Sequence, residues 1–285
     1  MTTVPAEERT RTRRSGTSVL IFVVLMAALS IVIFPTALMF LTSLKSQAEV
    51  YANPVALPGE LQWENFVRAW TVGDIPLRAR NSLIVTVTSV ALSSIVGAGA
   101  GYVCARIKPR RLGAILTGLF AFGLFIPVQS GLVPLFVEMQ ALGLLGTLLP
   151  MIIVNAALQL PLSVVIFAAF FAALPIEVEE SASIDGAGRL RTLFAIVMPL
   201  ARPAVATNII LGTVTVWNDY FVSLLFSTDP SIQTLPVGLA SFKVAYTTDW
   251  PATLAYTSMV ALPVFILYVF LQRYITEGVT AGSVK

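Results

Sequence analysis

Residues 177–203 read EVEESASIDGAGRLRTLFAIVMPLARP and decide how the rest of the chain is organised. This is the one long charged segment set between strongly apolar runs in the second half of the sequence. Pro175 precedes it, and Ile176, Val178 and Ile184 give its first part a partial apolar stripe. Asp185-Gly186-Ala187-Gly188 supplies a break. Leu190, Leu193, Phe194 and Val197 then fall at i, i+3, i+4, i+7, the spacing of one helical face. Pro199 and Pro203 end that helix, because proline has no N–H for the preceding turn. The pattern predicts two short helices joined by a glycine turn, standing outside the membrane between two spans and shaped for docking.

The surrounding composition is that of a membrane protein. Of 285 residues, 56% are hydrophobic and only 12% charged, about half the charge of an ordinary soluble domain; the mean hydropathy is +0.85. The chain has no histidine, which excludes a Ser-His-Asp triad, a Ser-His dyad and a histidine-ligated metal. The single cysteine, Cys104, allows no internal disulfide and reads as an apolar filler near the end of a span. No G-x-x-x-x-G-K-[ST] phosphate loop is present, so no cofactor is expected in this chain and any ATP is bound by another polypeptide.

Read in order, the chain predicts an all-α polytopic fold of six spans. Residues 1–17 form a polar tail with Arg9, Arg11, Arg13 and Arg14. The membrane-spanning body covers 18–273, with spans at about 19–41, 81–105, 112–127, 148–171, 204–226 and 252–271, and the charged loop at 175–203. Residues 274–285 form a second tail. Arg13-Arg14 is not taken as a secretion signal, since the apolar run after it is too long and lacks a cleavage site. Trp63, Phe66, Val67 and Trp70 predict a short helix with its rings at headgroup level. Ser89, Ser93, Gly97 and Gly101 place small residues on one stripe of the second span, where another helix can approach closely.

Arginine and lysine set the orientation. With both termini inside, the inner segments carry the Arg9–Arg14 cluster, Arg106, Lys108, Arg110, Arg111, Arg189, Arg191, Arg202, Arg273 and Lys285. The outer ones carry only Lys45, Arg68, Arg78, Arg80 and Lys243. This is the sign of the positive-inside rule. It accounts for most of the net charge of +3 and gives no reason to expect nucleic acid.

The decisive stretch resembles the EAA loop of permease subunits in binding-protein-dependent ABC importers. The resemblance rests on Glu180, Ala182, Asp185, Gly186, Ala187, Pro199 and Pro203, with Ser181 departing from the usual alanine. Three other stretches resemble the carbohydrate, maltose-type branch: Asn81-Ser82-Leu83, Trp217-Asn218-Asp219-Tyr220, and the tail residues Gly278, Thr280, Gly282 and Lys285. The resemblance implies a non-catalytic permease that moves a sugar or oligosaccharide across the cytoplasmic membrane by alternating access. It implies as partners a second related permease, two ATP-binding subunits, an external solute-binding protein and membrane lipid. It also implies that Glu180 meets the ATPase and that the tail reaches it.

Pathway candidates come from polar groups within spans, which are expensive in lipid unless they face protein or water. They are Asn155 and Gln159 at i, i+4, together with Asn208, Trp217, Asn218, Asp219 and Tyr220. Substrate contact and interhelical hydrogen bonding are both open for these residues. Another small polar solute, such as a glycerol phosphate or a polyamine, also fits the resemblance. An ion-coupled secondary transporter using Asp219 is the main rival; an intramembrane protease is disfavoured by the absence of paired intramembrane aspartates.

Overall fold

The computed structural model describes the backbone of residues 8–244 and 247–281. Helices dominate the described residues, and the two strands among them, Lys243–Val244 and Thr247–Thr248, pair antiparallel over two residues each. The chain divides into two compact units, Met1–Ala69 with Phe242–Ser258, and Trp70–Ser241 with Met259–Lys285.

The first unit opens on α1 (Glu8–Ser43). Its helical backbone starts within the polar segment expected to be a tail, ahead of the apolar span-length stretch Ser18–Ser43. The apolar side chains of its span face outward along most of their length, as a helix bathed in lipid requires. Beyond Ser43 the chain folds over Lys45, which is fully buried and donates from Nζ to the carbonyls of Asn53 (3.1 Å) and Pro54 (2.9 Å). The short α2 (Gln47–Ala52) carries a capping box between Ser46 and Glu49. In α3 (Glu64–Val72), Asn65 is buried and donates to the carbonyls of Ser43 and Lys45, while Trp63 and Val67 stay exposed. The exposed ring and its neighbour keep the apolar face that suits a membrane interface.

The second unit is built on α4 (Ile75–Arg106), followed by α5 (Arg110–Gly123), α6 (Leu132–Ala141) and α7 (Leu149–Ala173). The stripe of small residues on α4 is where α7 packs. Ser89 Oγ donates to the Ile152 carbonyl at 3.1 Å. A Cβ on Gly97 would lie 2.5 Å from Ser163 Cβ, and one on Gly101 would lie 2.8 Å from Phe167 Cβ and 2.9 Å from the Ala168 nitrogen. Only the absence of a side chain admits this approach. Cys104 is buried against Val164 and Ala168 and acts as the filler expected.

The charged segment follows as α8 (Glu177–Ile184), then a rod made of α9 (Arg189–Arg191), a π-helical turn Thr192–Val197 and α10 (Met198–Leu200). An 80° bend at Ala201 leads into α11 (Arg202–Trp217). Pro203, in the first turn of α11, is placed where its missing N–H costs nothing. The helical stripe expected of this rod divides: Leu193 and Val197 are buried among Ala98, Phe167 and Phe171, whereas Leu190 and Phe194 are exposed.

The fifth span, expected as one helix over 204–226, is broken. α11 stops at Trp217 and α12 (Phe221–Phe226) starts a new helix. The Asp219 side chain explains the break, since it competes with the helical ladder for the N–H groups of the next turn. Asn218 Nδ2 turns back to the Val214 carbonyl, and the Asp219 carboxylate accepts from the amides of Val222 and Ser223. α13 (Leu235–Gly238) and the long α14 (Trp250–Ala281) complete the chain. The α14 backbone stays helical through Gly278 and Thr280, beyond the expected end of the span; Gly282 and Lys285 lie outside the described residues.

By length and composition, Ser18–Ser43, Ile75–Arg106 and Leu149–Ala173 each suffice to cross a membrane. Two bent pairs, Arg110–Gly123 with Val128–Ala141 and Arg189–Leu200 with Arg202–Trp217, bring the total to as many as five. Trp250–Ile266 is a shorter apolar helix.

Candidate functional site

The decisive stretch folds into a capped helix with a free outer face. At its C-terminal end three backbone bonds close a Schellman motif: Asp185 N–H to the Ser181 carbonyl (3.1 Å), Gly186 N–H to Ser183 (3.1 Å) and Ala187 N–H to Ala182 (2.9 Å). Gly186 takes φ +79°, the left-handed region that glycine enters without penalty. A Cβ there would meet no atom within 4 Å. The glycine is therefore required by the turn's conformation, and not by crowding within this chain. Ala182 is buried, while Asp185, in the last-turn cap position, is exposed. Four residues singled out in the sequence thus share one job, ending α8 and turning the chain into α9.

The first turn of α8 holds Glu177, Glu179 and Glu180, a favourable place for negative charge at a helix N-terminus. Glu180 is exposed. Beside the turn, Ile184 is 87% and Leu190 74% exposed. The exposed end of α8 thus carries a carboxylate and two large apolar side chains that this chain does not cover. Pro199 is exposed on the rod and Pro203 partly buried.

Glu179 does something the sequence does not disclose. Its carboxylate accepts from the Tyr102 hydroxyl at 2.6 Å and from Arg106 Nε at 2.7 Å. Arg106 Nη2 lies 2.7 Å from the same carboxylate and also donates to the Leu174 carbonyl at 3.2 Å. The paired side chains of Arg106 and Glu179 are only 16% and 13% exposed. Thus Glu179 bolts α8 to the end of α4, whereas Glu180 points away. Adjacent acidic residues carry no mark of which one turns inward, so only the geometry separates them.

The pathway candidates occupy two settings. Asn155, Gln159 and Asn208 are buried where α4, α7 and α11 meet. Asn208 Nδ2 donates to Ser94 Oγ at 2.8 Å. Among the described residues, Asn155 Nδ2, Gln159 Nε2 and Asn208 Oδ1 have no partner, and buried polar atoms left so are rare and costly. Gly212 lies alongside, since a Cβ on it would sit 3.3 Å from Gln159 Nε2. Three amide side chains with unmet atoms, together with buried Ser93 and Ser163, make these helices polar in part of their interior. A second setting is a cavity of about 550 Å³ bounded by α4, the π turn, α11 and α14. Its wall is almost wholly apolar; Trp217 lines it and donates from Nε1 to the Val260 carbonyl at 3.3 Å. Asn218 and Tyr220 are exposed at the break between α11 and α12.

Asp219 is engaged as a local cap. Both carboxylate oxygens accept from the first turn of α12, Oδ1 from Val222 N–H at 3.3 Å and Oδ2 from Ser223 N–H at 2.9 Å and its hydroxyl at 3.1 Å. This gives Asp219 a structural reason to exist at the break and weakens an ion-coupling role. No group of three metal-ligating side chains occurs among the described residues.

The described residues combine long apolar helices with one capped, charged helix whose outer side is exposed. Residues 97–280 match the family described as binding-protein-dependent transport system inner membrane component, and the chain belongs to that family. It is similar to the sulfoquinovosyl glycerol transport system permease protein SmoH of Agrobacterium fabrum, with 34% identity over 89% of each chain. Another relative is the trehalose/maltose transport system permease protein MalG of Thermococcus litoralis, 32% identical over 90% of this chain and 92% of the relative. Among solved structures, a bacterial ABC transporter involved in import of the acidic polysaccharide alginate has a chain that superposes with a TM-score of 0.74. That match has 25% identity and covers 95% of this chain and 99% of the other. The protein is therefore a membrane-embedded, non-catalytic permease subunit of an ABC importer, and its kind works with ATPase and solute-binding partners.

Proposed function

We propose that this subunit imports a sugar or oligosaccharide across the cytoplasmic membrane, as half of a permease pair with a second related subunit. Two ATP-binding subunits dock on the inner side, and an external solute-binding protein delivers the cargo. In this reading the chain crosses the membrane six times with both ends in the cytoplasm. α14 supplies the sixth crossing, and the arginine-rich Arg106–Arg111 turn marks the inner side.

The observation that carries the reading is α8: capped by Gly186, bolted inward by Glu179, and bare at Glu180 and Ile184. ATP-driven closure of the ATPases pushes this helix as a rigid lever, and the helices packed on it turn the pair between inward-facing and outward-facing states. The cargo class follows from the relatives, whose names cite sulfoquinovosyl glycerol, diacetylchitobiose and trehalose/maltose. The unmet amides of Asn155, Gln159 and Asn208 supply hydrogen-bonding groups of the kind hydroxyls use. Trp217, Asn218, Asp219 and Tyr220 are assigned to the same pathway in this reading. In this reading the tail residues Gly278, Thr280, Gly282 and Lys285 serve contact with the ATPase pair.

The test is reconstitution with the partner permease, the ATP-binding subunits and the solute-binding protein. Proteoliposomes holding the full complex and given sugar-loaded binding protein accumulate the sugar only when ATP is supplied. Accumulation by this polypeptide alone, driven by a proton or sodium gradient, refutes the reading.

A further inference from the structure

The helix α4 is held at both ends by side chains that no packing argument demands. At its inner end, Tyr102 and Arg106 grip Glu179 of α8, and Arg106 also fixes the carbonyl of Leu174 just past α7. At its outer end, Asn81 Nδ2 donates to two carbonyls of the loop before α13, Ser231 and Gln233, each at 2.9 Å. Next to it, Ser82 Oγ accepts the N–H of Leu235, the first residue of α13, at 2.9 Å. Arg78 adds a 2.8 Å bond from Nη2 to Gln233 Oε1. All three outer side chains are buried.

These two grips lie about 35 Å apart along one helix, at about 1.5 Å of rise per residue. Between them α4 is one unbroken helix, Ile75–Arg106. The only proline of α4, Pro76, is in the first turn, and the middle is seated on α7 through Gly97 and Gly101 with no room for slippage. A rigid element tied at both ends moves both ends together.

We propose that α4 is the strut through which displacement of α8 reaches the outer loop 231–235, with Glu179 and Ser82 as positioning residues at its two joints. The proposal rests on the importer reading above, because it needs an ATPase to move α8. When α8 is pushed, Glu179 carries Arg106 and Tyr102 with it. α4 shifts as one body, and the loop follows through Asn81 and Ser82. The exposed and the buried glutamate of α8 thus have different tasks: Glu180 meets the motor, and Glu179 passes the motion on.

The experiment uses the complete reconstituted transporter and three variants, Glu179→Gln, Ser82→Ala and the double. Two quantities are read: recovery of the assembled complex, and solute taken up per ATP hydrolysed. Each single change is expected to leave recovery near that of the parent. Each should lower the uptake ratio by at least about fivefold, the weak end of ordinary coupling between sites. The double variant is expected to match the more severe single, because both cut one linkage and such effects do not add. A purely structural role would lower recovery and leave the ratio alone. Independent, multiplying effects overturn the strut, as does an unchanged ratio in either single variant. Tyr102→Phe, which removes only the hydroxyl donated to Glu179, gives the same reading where Glu179→Gln fails to assemble. A parent complex without ATP-driven uptake removes the importer reading and the strut together; a working parent with unaffected variants removes the strut alone.

Discussion

Replacing Gly186 is expected to damage the docking helix in an order set by backbone conformation and not by size. The residue sits at φ +79° with open space where a Cβ would go, so alanine pays only the left-handed penalty, about 1–2 kcal/mol. That is a factor of about 5–30 in the population of the closed turn. Asparagine, which bonds locally in the left-handed region, should lose much less, and valine, branched at Cβ, should lose most. Hydrogen exchange at the amides of Asp185, Gly186 and Ala187, whose bonds close the turn, reads the population directly. ATP-driven uptake should fall in the same order, with asparagine near the parent, then alanine, then valine. Equal damage from asparagine and valine would refute the reasoning. It would mean that a partner packs on Gly186 and that side-chain volume, not φ, is what the site rejects.

Three further outcomes follow from the same geometry. Glu180→Ala changes an exposed position, so thermal stability should move by no more than about 0.5 kcal/mol, while co-purification of the ATPase drops; unchanged co-purification counts against the docking role. Gly97→Val forces a branched side chain onto Ser163, where even a Cβ has only 2.5 Å. It should cost at least about 1–3 kcal/mol as overpacking, seen as a lower melting temperature in detergent, and a stable variant would mean that α4 and α7 part easily. Asp219→Ala should destabilise by about 0.5–2 kcal/mol, the usual value of a helix cap, without altering the dependence of uptake on pH or sodium. A shifted pH or sodium profile would reinstate Asp219 as an ion site.

Much of the fold is legible because helix breaks and close packing leave residue-type marks. Asp185-Gly186-Ala187 announces a turn, and the φ of Gly186 together with its three closing bonds is the reason. Ser89, Ser93, Gly97 and Gly101 announce a close helix neighbour, and α7 is that neighbour. The fifth span misleads because hydropathy sees the apolar residues on both sides of Asn218-Asp219. It does not see that the Asp219 carboxylate takes the Val222 and Ser223 N–H groups that a continuous helix would bond to its own carbonyls. The apolar stripe of the rod after Gly188 assumes the α-helical period, and the π turn at Thr192–Val197 shifts Phe194 outward. Glu179 is invisible for a different reason. Its role depends on Tyr102 and Arg106, about seventy residues or more earlier in the chain, and no local pattern encodes that meeting.

The account rests on α8 being the place where force enters from the cytoplasmic side. A photo-crosslinking side chain at Ile184, in membranes containing the whole transporter, tests this most directly. The expected result is a covalent adduct with the ATP-binding subunit, lost when that subunit is stripped from the inner face. An adduct with the external binding protein, or labelling of this position by a membrane-impermeant reagent added from outside, would contradict it.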